Sequence, residues 1–541
     1  MKWIFCSLIL ACVGLGSVGT TSLEAASPEE NSSAADWPMS SGPFGNYLPL
    51  PADGFEYVDE PSQIKKLWES EYDDFGYGKS LSNPFAKFFD LERRYPGTHP
   101  GSGGTPIVAE GIVFLNSFRP AGPVDDLQHP ERVEAFLKES RTRIDKLNLS
   151  EAEFEDLAER FKRIVRAGGE DVFVALDAAT GKLLWEKVVP GRNLLNGKRD
   201  IWKPSPAYLD GLVFALSTEG VVHALDIKTG EQKWQRPIEA IANRHHPVSF
   251  ERDLVAVDQR VIVPGGIGLD AATGKELWRS GKEPWQSRFA NPAIWQHKGK
   301  AYLLYVDGHH EEATLRLVDP KDGRVLWRHA TGGLQFDPPI VLDDIAFVTV
   351  GRQEVAFEKG GKQVTESQSI RGAIRLSLTG PKKLWQFPKG ESLLTFPPGP
   401  DRGVRRKASA GLDGVFWYFP NDKYDPAHVF KIDAATGKIL SKGEQSPDRP
   451  GTPTKAPYVY QIGDRLMFFP SGAGGDKNFG APHLSNVSDL RYLGDITPIR
   501  EENIMSCYEV FCEHPVADGK IYLRTYRGTI VCYDLRKDGA G

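Results

Sequence analysis

Residues 176–185 read Leu-Asp-Ala-Ala-Thr-Gly-Lys-Leu-Leu-Trp, and this pattern recurs along the chain. In five units of this kind, which begin at Asp177, Asp226, Asp270, Asp319 and Asp433, the Asp is followed four residues later by a Gly. In the first four of them, a Trp stands eight residues after the Asp. A repeat of this kind predicts an architecture of similar, stacked units.

Each repeat predicts a β-hairpin that ends on a large aromatic residue. A short apolar run such as residues 221–225 predicts a strand. Asp-x-x-Thr-Gly predicts the turn, because Asp and Thr hydrogen-bond the local backbone and Gly accepts positive φ. Upstream, residues 206–216 predict two more strands around an Asp-Gly turn. Four strands per repeat are typical of a β-propeller blade, so we predict an all-β fold.

The aromatic residues that end these units are expected to pack between neighbouring blades. This placement buries their large apolar surface, so removing an indole there should destabilise the ring. Six positions are predicted to have this blade-docking role: Trp68, Trp185, Trp234, Trp278, Trp327 and Trp385.

The spacing of the repeats predicts eight blades. The anchor positions are Asp177, Asp226, Asp270, Asp319, Ser377 (eight residues before Trp385), Asp433 and Asp534. The last interval is about twice the others, so a degenerate blade is expected between Asp433 and Asp534, with its first hairpin at residues 458–469.

The two ends of the propeller are predicted to meet in one blade. Too few residues follow Asp534 for a turn and a fourth strand. Residues 64–69 end in Leu-Trp without a preceding hairpin, so we expect them to pair with residues 529–534 and close the ring. The propeller domain is therefore predicted to span residues 64–541.

The N-terminus predicts an exported protein. Lys2 precedes an apolar stretch at residues 3–15 that is too short to span a bilayer, so residues 1–26 are interpreted as a secretory signal. Residues 9–12 also resemble a lipoprotein cleavage box, but simple export to the periplasm or the exterior is favoured over lipid attachment at Cys12. Residues 27–60 are rich in Pro, Gly and Ser and are expected to form a flexible lead-in.

Residues 130–167 interrupt the β pattern. Apolar residues at helical spacing predict two antiparallel helices within the first blade. Ser150 and Glu153 form a capping box for the second helix, and Gly168-Gly169 ends it. The insertion is either a packed decoration or a lid or partner-docking surface, and both interpretations stay open.

The remaining composition indicates no nucleic-acid or metal partner. The net charge of −6 is spread over interspersed acids and bases, so no nucleic acid or anionic membrane is expected to bind. Residues 245–246 and 307–312 contain metal-ligand residue types, but neighbours on a strand point to opposite faces, so these stretches are interpreted as exposed. No catalytic residue is predicted.

The cysteines that follow the signal have different expected roles. Cys532 stands at a position that is Ala175, Ala224 or Gly268 in other repeats, so a buried, inert thiol is predicted. Cys507 and Cys512 are candidates for a local disulfide, whose geometry the sequence does not establish.

The Asp-Ala-x-Thr-Gly-Lys-x-Leu-Trp units resemble the pyrroloquinoline-quinone repeat family over residues 64–541. The resemblance implies an eight-bladed propeller. Some members are quinoprotein dehydrogenases, in which Glu, Asn and Asp side chains hold the quinone and a calcium ion over the central funnel, beside a catalytic Asp and often against adjacent cysteines. Others are non-enzymatic, including the outer-membrane assembly-factor propeller, a lipoprotein scaffold that binds partner proteins.

The sequence is more similar to the non-enzymatic branch. It has no Cys-Cys pair, and turn chemistry explains its repeated Asp residues. We therefore expect a monomeric, non-catalytic cell-envelope scaffold that binds a protein partner and no cofactor. The alternative is a dehydrogenase of alcohols or sugars that depends on pyrroloquinoline quinone and calcium. A propeller hydrolase or lyase is a third hypothesis.

Overall fold

The computed structural model contains eight antiparallel sheets that form the blades of one β-propeller, which confirms the predicted fold class and blade number. It describes residues 36–49, 54–73, 104–121, 130–142, 150–158 in part, 168–191, 204–238, 253–280, 291–307, 313–333, 335, 337–359, 362–387, 395–396, 408–419, 428–444, 447, 458–469, 481–502, 504, 513–525 and 528–537.

In the first four blades, successive strands pair from the axis outward. The strands are, in blade 1, Ile107–Ala109, Ile112–Ala121, Gly168–Asp177 and Leu183–Gly191; in blade 2, Ala207–Leu209, Leu212–Leu216, Val221–Asp226 and Gln232–Pro237; in blade 3, Val255–Val257, Arg260–Val263, Ile267–Asp270 and Glu276–Arg279; and in blade 4, Ala293–His297, Lys300–Asp307, Thr314–Val318 and Val325–Ala330.

The next three blades follow the same order, and blade 5 carries an additional short strand. The strands are, in blade 5, Ile340–Leu342, Ile345–Lys359, Lys362–Arg375 and Lys382–Gln386, with Thr395–Phe396 paired to the third; in blade 6, Ala408–Gly411, Val415–Tyr418, His428–Asp433 and Ile439–Glu444; and in blade 7, Tyr458–Ile462, Arg465–Phe469, His483–Asn486 and Tyr492–Asp495.

Blade 8 is assembled from both ends of the chain. Its first three strands are Val516–Ala517, Lys520–Arg524 and Ile530–Asp534, and its fourth is Lys65–Glu69. Trp68 lies opposite Cys532 in this antiparallel pair, and its indole Nε1 donates a hydrogen bond to the carbonyl of Ala178 in blade 1 (3.2 Å). The pairing expected for residues 64–69 is therefore present, and blade 8 contacts blade 1.

The repeated Asp residues organise the turns between third and fourth strands. In blade 1, the Asp177 carboxylate accepts hydrogen bonds from the amide and the hydroxyl of Thr180 (2.8 and 2.7 Å). Gly181 follows with a φ of 72°, a conformation that residues with a Cβ rarely adopt. Asp433 makes the same two contacts with Thr436 in blade 6, as the turn chemistry of the sequence predicted.

The predicted docking tryptophans lie between blades. Trp278 of blade 3 donates from Nε1 to the carbonyl of Pro320 in blade 4 (2.8 Å), and Trp185, Trp234, Trp327 and Trp385 make equivalent bonds to the next blade. Their rings cover the turn glycines: a Cβ at Gly323 would lie 2.4 Å from the Trp278 ring. Trp68, Trp278 and Trp327 are buried, whereas Trp185, Trp234 and Trp385 are half-buried.

The anchor position of blade 5 differs from the prediction. Trp385 lies opposite Ala373 in the strand pairing, so Arg375 occupies the place that Asp177 holds in blade 1. Trp385 follows its partner Ala373 by twelve positions, whereas Trp185 follows Ala175 by ten, which is why counting eight residues back from Trp385 wrongly selected Ser377.

Short helices add little to the fold. Pro61–Gln63 is a 3₁₀-helix, and Pro130–Arg141 and Thr497–Glu501 are α-helices. In the part of the chain that the structure describes, none of the helices is long and apolar enough to cross a membrane.

Candidate functional site

The two faces of the ring differ in the length of their connections. On one face, which we call the turn face, two or three residues join the first and second strands of every blade, and five or six join the third and fourth strands of blades 1–7. On the opposite loop face, at least nine residues join each fourth strand to the next blade. Binding residues concentrate in loops on a rigid scaffold, so the loop face is the candidate functional face.

Hydrogen bonds join neighbouring blades at the loop-face end of the axis. The residue two positions before the first strand is Thr105, Ser205, Asp253 and Asn291 in blades 1–4, and all four are buried. The Thr105 amide donates to the Ser205 hydroxyl (2.8 Å), and the Ser205 amide donates to the Asp253 carboxylate (2.7 Å). The Asp253 amide in turn donates to the side-chain oxygen of Asn291 (3.1 Å). We call this arc of four polar residues, which blades 1–4 contribute, the mouth.

Residues 36–48, which we call the central segment, lie against the strands that line the axis. Trp37 and Val108 of blade 1 exchange two backbone hydrogen bonds (2.7 and 3.0 Å). The Pro38 carbonyl accepts from the amide of Tyr208 in blade 2 (2.9 Å). The central segment thus adds backbone pairing to the innermost strands of two adjacent blades.

The far end of the central segment contacts the opposite side of the ring. The Asn46 side chain donates to the carbonyl of Val341 in blade 5 (3.1 Å). The backbone carbonyl of Asn46 accepts from the amide of Ala410 in blade 6 (3.0 Å). A Cβ at Gly45 would lie 3.3 Å from the backbone nitrogen of Ile294 in blade 4, so Gly allows a close approach there.

The central segment enters from the turn face and reaches the mouth. At its start, the Asp36 carboxylate accepts from the amide of Glu110 in a turn-face loop (3.1 Å). At its tip, the Ser40 hydroxyl donates to Asp253 (2.5 Å) and accepts from Asn291 (3.2 Å). The tip therefore forms the floor of the mouth.

This arrangement corrects the expectation that residues 27–60 are a flexible lead-in. Residues 36–47 contain no exposed position, and Trp37, Met39 and Tyr47 are buried among the blades. Burial of such side chains stabilises the folded state by about 1.5–3 kcal/mol each, which offsets the entropy lost on ordering the segment. Residues 27–35 lie outside the described part of the chain.

Blade 5 carries a buried ion pair beneath the loop face. The Arg371 guanidinium contacts the Asp337 carboxylate at 2.5 Å, and at most 1% of either side chain is exposed. Arg371 also donates to the Thr349 hydroxyl (3.3 Å) and lies 4.9 Å from the centre of the Phe347 ring. A buried pair of this kind fixes geometry, since removal of one partner leaves an uncompensated charge.

A two-stranded arm extends from blade 5 on the loop face. The second and third strands stay paired as far as Lys359 and Lys362, whereas the blade itself ends near Thr349 and Arg371. At ~3.3 Å per residue, the arm reaches about 30 Å beyond the blade. Arg352 on this arm is exposed, as are Glu354, Ala356, Gln363 and Thr365.

The insertion in blade 1 also projects from the loop face. Its first helix, Pro130–Arg141, contacts residues 151–158, whose described members are helical. The Arg141 guanidinium lies 5.0 Å from the centre of the Phe154 ring and 2.9 Å from the Glu151 carboxylate. Glu153 of the predicted capping box lies outside the described residues. Gly168 begins a strand, as the expected end of the insertion requires.

The mouth does not offer the donor set that a quinone with calcium needs. Calcium takes six to eight oxygen ligands, several of them carboxylates. Among the described residues, no group of three or more His, Cys, Asp or Glu side chains is placed to hold a metal. Asp253 already accepts from Ser205, Ser40 and Asn291, and Asp337 is paired with Arg371. The described residues therefore do not fit this cofactor.

Other sequence expectations have mixed outcomes. Cys532 is fully buried, as predicted, and burial raises the pKa of its thiol to about 12. Asp307 is buried and paired with Arg316, which corrects its interpretation as an exposed turn residue. Cys12, Cys507, Cys512, His245-His246 and residues 308–312 lie outside the described residues.

Sequence reasoning missed the residues of the mouth and the central segment. Trp37 lies in a Pro- and Ser-rich stretch, so composition hid its burial. A detectable signal was the polar residue two positions before each of the first four innermost strands, at Thr105, Ser205, Asp253 and Asn291. The Asp337–Arg371 pair joins the connection before the first strand of blade 5 to its third strand and has no local pattern.

Known proteins resemble this chain in both sequence and fold. A family model described as outer membrane protein assembly factor BamB matches residues 131–280 and 264–456, more than half of the chain. The dehydrogenase subunit of the quinone alcohol dehydrogenase of Gluconobacter oxydans (strain 621H) is 37% identical over 120 residues, which cover 19% of this chain and 16% of that protein. The corresponding subunit from Komagataeibacter europaeus is 34% identical over 120 residues, with the same coverage. The match thus spans about a sixth of these relatives' length.

Two solved structures match this chain at low identity. BamB from Moraxella catarrhalis is 14% identical with a TM-score of 0.43, and the match covers 68% of this chain and 91% of that one. Quinohemoprotein alcohol dehydrogenase from Comamonas testosteroni is 13% identical with a TM-score of 0.46, covering 92% and 80%. With its repeated turns, docking tryptophans and family-model match, the chain belongs to the outer membrane protein assembly factor BamB family of pyrroloquinoline-quinone-repeat propellers.

Proposed function

We propose that this protein is a non-catalytic scaffold of the cell envelope that binds a protein partner through its loop face. The asymmetry between the two faces carries this proposal: short turns close one face, and the long connections, the arm and the helical insertion all lie on the other. A rigid ring beneath long loops supports recognition of a large partner surface.

The ring centre supports a binding function over a catalytic one. The tip of the central segment fills the axis below the mouth, and Ser40, Asp253 and Asn291 bond to one another. A catalytic pocket would need polar groups directed toward a substrate instead. The polar groups of the mouth bond to one another, and these bonds therefore hold the blades together.

Site-specific photo-cross-linking tests the proposed binding face. A photoreactive residue at Glu354 on the arm should form an adduct with one main envelope protein, whereas the same residue at Lys438 on the turn face should not. Both positions are exposed, so they form a matched pair. Replacing residues 353–368 by a two-residue turn joins Arg352 to its partner Ser369 and should remove the adduct without unfolding the ring. Equal adducts from both faces, or none from either, would contradict the proposal.

A quinone-dependent dehydrogenase is the second candidate, favoured by the 120-residue match to alcohol dehydrogenase subunits. Titration of the purified protein with pyrroloquinoline quinone and calcium, followed by absorbance and dye reduction with alcohols and sugars, separates the two functions. We expect neither a spectral change nor turnover. Saturable binding of pyrroloquinoline quinone with turnover would contradict the scaffold proposal and support a dehydrogenase.

The cellular location is part of the same proposal. The secretory signal predicted at residues 1–26 supports export, with the propeller released into the periplasm or the exterior. Mass spectrometry of the mature N-terminus in fractionated cells tests this point. A mature chain that begins at a lipid-modified Cys12 would establish the anchored form instead.

A further inference from the structure

One backbone carbonyl marks each contact between neighbouring blades on the turn face. In six contacts it accepts a hydrogen bond from a docking tryptophan of the preceding blade, the acceptors being Ala178, Ile227, Ala271, Pro320, Ser377 and Ala434. Two contacts have no such tryptophan: those between blades 6 and 7 and between blades 7 and 8. The structure shows what replaces the indole in each.

A lysine replaces the indole between blades 6 and 7. Ser441 occupies the strand position that Trp185 holds in blade 1, since it lies opposite Lys431. The Lys431 ammonium donates to the carbonyl of Val487 in blade 7 (3.2 Å), which is the equivalent acceptor. This contact therefore keeps a donor from within the preceding blade.

Between blades 7 and 8, the donor comes from the N-terminal region instead. Gly494 occupies the tryptophan position of blade 7, since it lies opposite Leu484. The equivalent acceptor in blade 8 is the Leu535 carbonyl, and it accepts from the backbone amide of Val58 (2.9 Å). A Cβ at Gly494 would lie 3.4 Å from Cγ of Pro61, so Pro61 packs where the indole stands in other blades.

The Val58 amide and Pro61 belong to residues 54–64, a segment that we call the strap. The strap also joins blades 7 and 8 through ion pairs. The Asp59 carboxylate contacts Arg465 of blade 7 (2.7 Å) and Lys537, which follows the last strand of blade 8 (2.8 Å). The hydrogen bond from Lys537 is the main reason that the pKa of Asp59 is lowered. Val58, Pro61 and Ile64 are buried against the ring.

We propose that the strap takes the place of the missing docking tryptophan between blades 7 and 8, and that its release is the step by which the ring opens. At the other seven contacts the donor to the marker carbonyl comes from the preceding blade, whereas here it comes from a segment that precedes the ring in sequence. Exposed ion pairs such as those of Asp59 contribute little to stability. The Tyr533 hydroxyl of blade 8 also bonds directly to the Pro498 carbonyl and the Glu502 carboxylate that follow blade 7 (3.1 Å each), so the strap adds to these bonds, and we expect its release to loosen this contact first.

Hydrogen–deuterium exchange of the full chain tests this proposal. In the Asp59→Ala/Pro61→Ala variant, we expect at least ten-fold faster exchange in Tyr492–Asp495 and Ile530–Asp534, with unchanged exchange in blades 2–5. Trp278→Ala is the matched control, because it should accelerate exchange at the contact between blades 3 and 4 and leave blades 7 and 8 protected.

A milder variant keeps the test decisive if the double variant does not fold. Asp59→Asn removes the charge and retains the shape, so it should accelerate exchange in the same two strands by a smaller factor, about two- to five-fold, as expected for loss of ~0.4–1 kcal/mol. Acceleration confined to blades 7 and 8 supports the proposal. Acceleration spread evenly over the ring, or none in either strap variant, would overturn it.

Discussion

A buried indole and an exposed leucine are neighbours in the fourth strand of blade 3, and they show how adjacent residues of the repeat differ in their contacts. Trp278 is 8% exposed and bonds to the next blade, whereas Leu277 is 42% exposed. Their pleated alternation places one side chain in the blade contact and the other in solvent. In this strand, Trp278 therefore stabilises the blade contact, whereas Leu277 takes no part in it.

Trp278→Ala should lower the free energy of unfolding by about 3–5 kcal/mol, the cost of truncating a buried aromatic residue. Trp278→Phe keeps much of the apolar contact but leaves the Pro320 carbonyl without its donor, so it should cost less, about 1–3 kcal/mol. Denaturant unfolding measures both values. Leu277→Ala is the control and should stay within ~0.5 kcal/mol of the wild type; equal losses at both positions would refute the docking role.

Cys532 is one of the residues whose ionisation couples to folding at alkaline pH, together with the buried or half-buried Tyr57, Tyr208 and Tyr522. Burial raises the pKa of its thiol from 9.0 to about 12. A raised pKa means that the thiol favours the folded state below pH 9 and that this contribution is lost as the pH rises from 9 to 12, because the unfolded thiol ionises first. Stability should therefore fall over this window, and Cys532→Ala should flatten the fall.

Alkylation offers a second measurement on the same thiol. At pH 8 the folded protein should leave the Cys532 peptide unmodified by iodoacetamide, and denaturant should expose it, as mass spectrometry of that peptide can follow. Rapid labelling of the native protein would show that the thiol is accessible.

At the scale of elements, the strand Lys65–Glu69 does the work of a fourth strand for blade 8. It covers the edge of Ile530–Asp534, which otherwise presents unpaired backbone groups. It also carries Trp68, whose indole bonds to blade 1. One short element therefore completes a sheet and joins the two ends of the ring.

Deleting residues 64–70 should lower the thermal unfolding midpoint by several degrees and promote association through the uncovered edge. Calorimetry and size-exclusion chromatography measure the two effects. Trp68→Phe in the intact chain is the control, since it keeps the strand and should elute as the wild type does. An unchanged midpoint after the deletion would mean that the strand does not stabilise blade 8.

On the scale of the whole molecule, the central segment couples blades that are distant in sequence. It contacts blade 1 through Trp37, blade 3 through Ser40 and blade 6 through Asn46. Each contact lies on or beside an innermost strand, so the ring is filled along its axis. The loop face then has a fixed geometry on which partner-binding loops are held.

Replacing Trp37 by Ala should destabilise the ring by about 3–5 kcal/mol, because its side chain is fully buried. The loss should appear as faster hydrogen exchange in Ile107–Ala109, the strand that pairs with it. Phe44→Ala, which changes a half-buried residue of the same segment, is the control. Equal and small effects at both positions would show that the segment adds no stability.

Local chemistry made the blades predictable from sequence. Asp177, Thr180 and Gly181 bond or bend within a few residues of one another, so the turn is visible in a short window. The same holds for the strand alternation around Trp278 and for the small residue opposite five of the six docking indoles, including Cys532; the residue opposite Trp327 is Leu317. The eight-bladed architecture follows from the number and spacing of these local units.

Tertiary structure alone decided what fills the ring and which segment bridges blades 7 and 8. Trp37 meets Val108, and Val58 meets Leu535, across long stretches of chain, and neither pair has a pattern that neighbouring residues reveal. The central segment is buried in the ring although its Pro- and Ser-rich composition predicted an irregular, exposed segment. Short-range hydrogen bonds can be read from residue spacing, whereas these contacts exist only because closing the ring brings its first residues to its axis and its last blade.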